Sequence, residues 1–231
     1  MWITRGLFVG VLWVLGLSSA EGAVQYLSGA INVNQEIPDN DSSGITSTHT
    51  VNSLGGYTIT DVNVTINVSG GQNGDLFAKL NYAPLGGGGG YCILLNRVGR
   101  TGLEPFGYED AGFSNVTLDD SAAIDVHVYG GGFVPAHTSY QPDGRDVSPS
   151  TVKSIDPRTA FLTTFNGMSA NGTWTLTFSD WAGDNTSTLV NWSLDIQAVP
   201  EPVTTALMIL GGVFGTFQFV RYVRRRKAPA A

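Results

Sequence analysis

The sequence predicts an all-β protein: an antiparallel, jelly-roll-like β-sandwich flanked by an N-terminal signal peptide and a C-terminal transmembrane helix. Three observations lead to this fold class. Short runs alternate apolar and polar residues, clusters of Gly, Asn and Asp separate the runs, and no helical period occurs between residues 24 and 198. Alternation gives each strand one dry and one wet face, the pattern of antiparallel sheets packed in two layers.

Four alternating runs define the main strands, and each is expected to turn its apolar residues inward. These residues are Val62, Val64, Ile66 and Val68; Ile124, Val126 and Val128; Trp174, Leu176 and Phe178; and Val190, Trp192, Leu194 and Ile196. The same alternation places His127 on a solvent-facing side. The unbroken apolar run 91–95 predicts a central strand, and turns are expected at 70–75, 86–90, 129–133, 169–172 and 181–185.

The charge distribution restricts the partners. The chain has 12 basic and 19 acidic residues, and half of the basic residues lie at the two ends. Residues 21–198 therefore carry 18 acidic against 6 basic side chains, a balance of −12. Nucleic acid is excluded as a partner because phosphate binding needs a basic surface. Cys92 is the single cysteine, so the chain forms no intrachain disulfide.

The first twenty residues are typical of a secretory signal peptide. Arg5 gives a basic start, residues 7–17 are apolar, and small residues follow at Ser18 and Ala20. Cleavage is expected after Ala20, and the mature chain then begins at residue 21.

A second apolar segment lies near the C-terminus. Residues 203–220 contain no charged side chain and would form a helix about 27 Å long, close to the thickness of a bilayer core. A basic tail follows at residues 221–227, formed by Arg221, Arg224, Arg225, Arg226 and Lys227. By the positive-inside rule, this tail is expected in the cytoplasm and the sandwich outside.

The whole C-terminal region, residues 199–231, resembles a PEP-CTERM sorting signal. Its motif is Pro200, Glu201 and Pro202, followed by the apolar segment and the basic tail. The resemblance implies recognition by exosortase, a membrane transpeptidase, removal of the tail, and delivery of the protein to the cell surface or exopolysaccharide matrix. Proline lacks an amide donor and favours an extended preceding residue, which suits an accessible processing site.

Residues 21–198 are similar to the P domain (P/Homo B domain) that follows the catalytic domain of kexin- and furin-like subtilases. The resemblance is carried by IPDN at 37–40, GDL at 74–76, YQPDG at 140–144, NGTWTL at 171–176 and WSLDI at 192–196. It implies a jelly-roll-like sandwich that accompanies a protease. The segment 145–164 is longer than the corresponding link in the family.

Acidic residues on the expected turns are candidate calcium ligands. Ca²⁺ takes six to eight oxygen ligands from carboxylates, amides and backbone carbonyls. The candidates are Asp39, Asp41, Asp75, Asp119, Asp120, Asp180 and Asp184. Asp and Asn also form turns by bonding their own backbone, so turn formation stays as the alternative. No other cofactor is expected.

No catalytic site is predicted. The histidines His49, His127 and His137 are scattered, and the GMSANG segment at 167–172 precedes a strand, whereas a nucleophile elbow requires a helix. Aromatic residues on Gly-rich segments are an alternative sugar-binding surface: Tyr108, Phe113, Tyr129, Phe133 and Tyr140.

The sequence thus predicts an exported, non-catalytic β-sandwich with a structural, adhesive or binding role at the cell envelope or in the matrix, where extracellular polysaccharide would be a partner. Two alternatives stay open. One is an accessory P domain that acts with a separately encoded subtilisin-like protease, and the other is a plain single-pass membrane-anchored receptor.

Overall fold

A computed structural model describes residues 22–131 and 139–226, and it divides into two units, Gly22–Glu201 and a C-terminal helix. The first unit contains ten strands: β1 (Val24–Leu27), β2 (Ile31–Ile37), β3 (Ile45–Val51), β4 (Tyr57–Gly70), β5 (Leu76–Pro84), β6 (Gly90–Asn96), β7 (Phe113–Leu118), β8 (Ser139–Tyr140), β9 (Gly172–Asp180) and β10 (Ser187–Pro200). Short 3-10 helices span Asn73–Asp75, Val126–Val128 and Leu162–Phe165. The predicted signal peptide and its cleavage site at Ala20 lie outside the described residues.

The larger sheet has six strands and is built around two long ones. β10 and β4 pair antiparallel from Ser187 opposite Gly70 to Pro200 opposite Tyr57. β1 and β2 pair in turn with the other side of β10, while β7 and then β8 follow β4. Only the β7–β8 pair is parallel among the strands described. The smaller sheet has the order β3-β9-β5-β6 and is antiparallel throughout.

The core lies between the two sheets, as the alternating runs predict. The inward side chains of β4 and β9 are fully or almost fully buried, at Val62, Val64, Ile66 and Val68 and at Trp174, Leu176 and Phe178. The ring of Tyr82 stacks on that of Trp174 with centroids 3.9 Å apart. Among the described residues, every member of the core cluster lies between Val24 and Ala198, within the unit Gly22–Glu201.

One predicted inward position in β10 is wrong. The register of β10 shifts between Leu189 and Asn191, and this bulge places Leu189 inside, whereas Val190 is partly exposed. From Trp192 onward the prediction is confirmed, because Trp192, Leu194 and Ile196 are buried. An extra residue in one strand reverses the faces of the residues before it.

The predicted strand at 124–128 is also wrong. Val126–Val128 forms a 3-10 helix whose first turn is capped by the Asp125 carboxylate, which accepts a hydrogen bond from the His127 amide at 2.9 Å. His127 is fully buried and does not face solvent. A run of five residues is too short for alternation to distinguish a strand from a helical turn.

The apolar run 91–95 forms a strand, β6, but at an edge of the smaller sheet and not at its centre. The segment 143–160 runs along this edge: the amides of Asp143 and Gly144 donate to the carbonyls of Leu94 and Ile93. Ile93 is buried although it points away from the main core. Both faces of β6 are therefore covered, which explains its unbroken apolar sequence.

The second unit is the helix α1 (Pro202–Arg226), which contains the predicted apolar segment 203–220. Within the described part of the chain, no helix combines the length and the apolar character needed to cross a membrane. The transmembrane helix predicted at 203–220 is therefore not found among the described residues. The segment is helical, but Gly211, Gly212, Gly215 and Gln218 interrupt its apolar residues.

Candidate functional site: a buried carboxylate cluster

Three turns of the chain meet at one end of the smaller sheet. β3 begins where β9 ends, since Ile45 lies opposite Phe178, and β5 begins there too, since Leu76 lies opposite Asp180. The turn before β3, the 3-10 helix before β5 and the turn after β9 are consequently neighbours. They bring together the carboxylate cluster, which we define as Asp39, Asp75, Asp180 and Asp184.

Asp75 and Asp180 form the buried part of the carboxylate cluster, with 1% and 0% of their surface exposed. Neither carboxylate oxygen of Asp75 has a hydrogen-bond partner. Asp180 accepts a bond from the Ala182 amide at 3.0 Å through Oδ1, but its Oδ2 has no partner. Buried polar atoms are normally satisfied, so three unpartnered carboxylate oxygens in one cluster need a physical reason.

The cluster shifts the ionisation of its own members. Burial and then the charge of Asp180 raise the pKa of Asp75 from 3.8 to about 6, and Arg97 partly opposes this rise. Burial also raises the pKa of Asp180, and the charge of Asp39 adds to the effect. Burial first, and the neighbouring carboxylates second, thus raise the pKa of both groups.

Arg97 is the counter-charge inside the cluster. Its guanidinium lies 3.6 Å from Asp75 Oδ1, and its Nε donates to the Gly74 carbonyl at 2.9 Å. The side chain is 6% exposed, and burial lowers its pKa. The prediction of ligands from Asp residues missed Arg97, and its left-handed backbone (φ 50°) has no signal in the sequence. The charge of Arg97 acts on both Asp75 and Asp180.

The outer part of the cluster is formed by Asp39 and Asp184. The Asp184 amide donates to Asp39 Oδ2 at 3.2 Å, which links the turn before β3 to the turn after β9. Asn73 lies in the same 3-10 helix as Asp75; its Oδ1 is buried without a hydrogen-bond partner, while its Nδ2 donates to the Gly112 carbonyl. Sequence reasoning missed Asn73, although it precedes Asp75 in the same turn.

The other predicted ligands lie elsewhere. Asp41 and Asp119 accept hydrogen bonds from the amides two residues ahead, as turn-forming Asp does. Asp120 caps the 3-10 helix Leu162–Phe165 by accepting from the amides of Leu162 and Thr163. These three side chains therefore have local structural roles.

The carboxylate cluster fits a hard cation in its chemistry but not in its spacing. Calcium prefers oxygen ligands of the kind found at Asp39, Asp75, Asp180, Asp184 and Asn73. Within residues 22–131 and 139–226, however, no group of three or more His, Cys, Asp or Glu side chains is positioned to hold a metal ion. A bound cation would have to draw the turns closer together.

A second buried charged group joins the 3-10 helix at Val126–Val128 to the YQPDG turn. His127 Nδ1 lies 2.7 Å from Asp143 Oδ2, and His127 Nε2 lies 2.9 Å from the Arg100 carbonyl. Arg145 contacts Asp143 Oδ1 at 3.3 Å and Asp125 Oδ2 at 2.9 Å. Both ring nitrogens of His127 are occupied by buried partners, so neither is free to accept a proton from a substrate.

Of the other two histidines, the structure describes His49. His49 lies in β3, and its Nε2 lies 2.9 Å from the Tyr26 hydroxyl. His137 lies outside the described residues.

Of the aromatic residues considered for sugar binding, Phe113 and Tyr140 lie in the core, and Tyr108 and Tyr129 are partly buried against it. Phe113 and Tyr140 are buried, and the rings of Tyr108 and Tyr129 pack on each other with centroids 4.5 Å apart. Their faces are used in packing, so they form no exposed platform. Phe133 lies outside the described residues.

The sorting motif joins the two units of the chain. Pro200 ends β10 opposite Tyr57, the Glu201 amide donates to the Gly56 carbonyl at 2.8 Å, and Pro202 begins α1. Of the basic residues, Arg221, Arg224, Arg225 and Arg226 belong to α1, and Lys227 lies outside the described residues.

The fold and the cluster define a two-sheet β-sandwich with buried carboxylates at one end. No family model matches the chain, and the search of curated proteins found no match. Among solved structures it is similar to the crystal structure of Aeromonas sobria serine protease in complex with its chaperone, ORF2, with 20% identity and a TM-score of 0.42 over 77% of this chain. The crystal structure of serine protease of Aeromonas sobria gives 19% identity and a TM-score of 0.40 over 76% of this chain.

The chain spans 27% of the length of each of these solved chains. A likeness at this level carries no inference about activity or partners.

Proposed function

We propose that residues 22–201 form a non-catalytic, calcium-stabilised β-sandwich that serves as a structural or adhesive module outside the cell. One observation carries the calcium proposal: both carboxylate oxygens of Asp75 are buried without a hydrogen-bond partner and face a second buried carboxylate, Asp180. A divalent cation would bind these oxygens. Its charge would offset the repulsion between Asp75 and Asp180, which Arg97 only partly offsets.

Calcium suits the site better than zinc or magnesium. The ligand atoms offered are oxygens on three separate turns, and calcium tolerates the irregular geometry that such turns provide. Zinc favours Cys and His ligands, which the carboxylate cluster lacks. The outer residues Asp39 and Asp184 would complete the coordination by moving toward Asp75 and Asp180.

The test is thermal unfolding of residues 22–201 with a chelator and with millimolar Ca²⁺ or Mg²⁺. A ligand that binds the native state raises its stability by mass action, so Ca²⁺ should raise Tm by several degrees. Asp75→Asn and Asp180→Asn should each abolish the rise. Asp195→Asn, which makes the same charge change at a surface residue of β10, should keep it. An unchanged Tm of the wild-type fragment in Ca²⁺ would contradict the proposal.

We also propose that the protein is exported and that Pro200, Glu201 and Pro202 are a PEP-CTERM-type motif read by an exosortase. The proposal is supported by the order of the motif, the helix α1 and its arginine-rich end. The protein would then reside at the cell surface or in the extracellular matrix. The Glu201 amide donates a hydrogen bond to the Gly56 carbonyl. We expect this hydrogen bond to break before an exosortase cleaves at the motif.

Intact-mass analysis of the protein secreted by an exosortase-containing host tests this sorting proposal. Export is expected to remove the first twenty residues, and processing is expected to remove α1 and the arginine-rich end. Replacement of Glu201 by Ala should leave the tail attached, whereas the same change at Glu36 should not. A mature wild-type protein that retains α1 would refute the sorting proposal.

The second candidate is an accessory P domain for a separately encoded subtilisin-like protease. It is supported by four sequence segments. They lie at the end of β2 and the turn after it (IPDN), at the 3-10 helix and the start of β5 (GDL), at β9 (NGTWTL) and in β10 (WSLDI). Co-purification with a subtilase, and loss of that protease's stability when this chain is deleted, would favour it over the structural role.

A further inference from the structure

The strand β3 is an open edge of the smaller sheet. Within the described part of the chain it pairs only with β9, in an unbroken register from Ile45 opposite Phe178 to Val51 opposite Gly172. An edge strand carries a row of backbone N–H and C=O groups without partners, which makes it a template for another strand. The opposite edge, β6, is covered by the segment 143–160 through backbone hydrogen bonds.

β3 also lacks the features that usually protect an edge. Its sequence, ITSTHTV, has no proline, no Lys, Arg, Asp or Glu, and no bulge. The edge of the larger sheet differs, because there β2 carries the exposed Glu36, a register shift and a left-handed residue at Asn34 (φ 49°). Proteins block the edges of sheets with charges, prolines and bulges. β3 has none of these three features, so its backbone groups are available to pair with another strand.

The outer face beside this edge is uncharged. Thr46, Thr48 and Thr50 point outward on β3 and lie opposite Thr177, Thr175 and Thr173 on β9. Elsewhere the sandwich carries a large excess of acidic side chains, which would repel a second copy. The threonine ladder is thus a surface on which two copies can meet without like-charge repulsion.

We propose that β3 pairs with β3 of a second copy of this chain, antiparallel around a two-fold axis at Thr48. Such an interface uses the same patch twice, as a two-fold dimer requires. Thr48 then lies beside its own symmetry mate, Thr46 beside Thr50, and Ile45 beside Val51. The two four-stranded sheets become one eight-stranded sheet, and every new outward-facing pair is Thr with Thr, which suits cross-strand packing and hydroxyl hydrogen bonding.

The proposed dimer is weak and depends on concentration. A single seven-residue strand about 24 Å long makes a small interface, below the ~1,200 Å² of stable complexes. The carboxylate clusters, which lie next to Ile45, fall at opposite ends of the paired strands and do not meet. The pairing of β3 therefore does not depend on calcium binding. A negative result for the calcium site would not contradict the proposed dimer, and a negative result for the dimer would not contradict the calcium site.

Sedimentation velocity of residues 22–201 from micromolar to millimolar concentration tests the pairing. The wild type should shift from monomer to dimer, and Thr48→Lys should stay monomeric because it places two ammonium groups side by side at the axis. Thr60→Lys, the same change at an exposed threonine of β4, should dimerise like the wild type. Circular dichroism and Tm show whether each variant is folded.

A charge-swap experiment tests the register itself. Thr48→Glu should also be monomeric, but an equimolar mixture of Thr48→Lys and Thr48→Glu should form a heterodimer, since only antiparallel pairing centred on residue 48 places the two side chains together. A wild type that stays monomeric at millimolar concentration overturns the proposal. A dimer that persists in Thr48→Lys, or a mixture that stays monomeric, overturns the proposed strand pairing.

Discussion

His127 shows how much a single buried side chain holds together in this sandwich. Its two ring nitrogens face the Asp143 carboxylate and the Arg100 carbonyl, and both of these groups accept hydrogen bonds. Asp143 Oδ2 also accepts from the Asn96 amide, and its Oδ1 from Arg145, which is the pattern of an ionised carboxylate. A buried hydrogen-bond network therefore ties the 3-10 helix at Val126–Val128 to the end of β6.

Replacement of Asp143 by Asn should destabilise the fold strongly. It removes the buried carboxylate that His127 and Arg145 both contact, and breaking a buried ion pair typically costs about 3–5 kcal/mol. Urea unfolding measures the loss. Asp146→Asn, the same change at a surface carboxylate bonded to the Tyr91 hydroxyl, should have little effect. An Asp143→Asn variant as stable as the wild type would contradict this prediction.

Asp75 should make stability depend on pH in the absence of divalent cations. Its pKa rises from 3.8 to about 6 on folding, so the folded state binds this proton more tightly. The resulting stabilisation is complete below pH 3.8 and is lost as the pH rises through about 6. This rise corresponds to about 3 kcal/mol.

The measurement is the difference in unfolding free energy between the wild type and Asp75→Asn across this pH range, in chelator. The unfolding free energy of Asp75→Asn should rise relative to that of the wild type as the pH rises toward 7, because the variant has no carboxylate to ionise at this position. Saturating Ca²⁺ should reduce the difference or reverse its sign. A difference that is constant from pH 4 to pH 7 would contradict the raised pKa.

At the scale of elements, the position of the carboxylate cluster depends on how tightly the turn before β3 meets β9. Gly44 has a left-handed backbone (φ 57°), and a Cβ at this position would clash with the Phe178 carbonyl oxygen. Only glycine allows this approach, because it has no side chain and adopts positive φ readily. The approach brings Asp39 toward Asp180.

Gly44→Ala should therefore destabilise the sandwich by more than ~1 kcal/mol, the cost of left-handed backbone alone, with the clash in addition. The same variant should lose part of any calcium response, because the turn that carries Asp39 must move. Gly183→Ala, where an added Cβ meets no atom within 4 Å, is the matched control and should change stability little. Chemical unfolding with and without Ca²⁺ measures both effects.

At the scale of the whole molecule, the inner faces of the two sheets enclose a core of aromatic and branched side chains. Most charged side chains lie outside this core, and one group of carboxylates lies at one end of the smaller sheet. The core accounts for a stable sandwich within residues 22–201. The partly buried carboxylate cluster lies at one end of the smaller sheet, and the uncharged edge strand β3 lies next to it. We expect the interactions of the sandwich at these two places.

The sequence by itself determined the fold class and most of the strands, because long alternation in β4, β9 and β10 leaves one face that must be buried. It also named four members of the carboxylate cluster, since Asp on turns is visible in a sequence. It could not select Asp39, Asp75, Asp180 and Asp184 from the seven candidates, because only the pairing of β3, β9 and β5 places their turns at one end.

The tertiary structure alone decided the features that depend on distant neighbours. The bulge at Leu189–Asn191 follows from pairing with two partner strands, and the edge position of β6 follows from the segment 143–160 that covers it. The burial of His127 follows from Asp143, sixteen residues away along the chain. Alternation along a strand shows which face is buried and which is exposed to water. Contacts between segments that are distant in the sequence decide which polar groups can be buried, and a local sequence pattern does not contain this information.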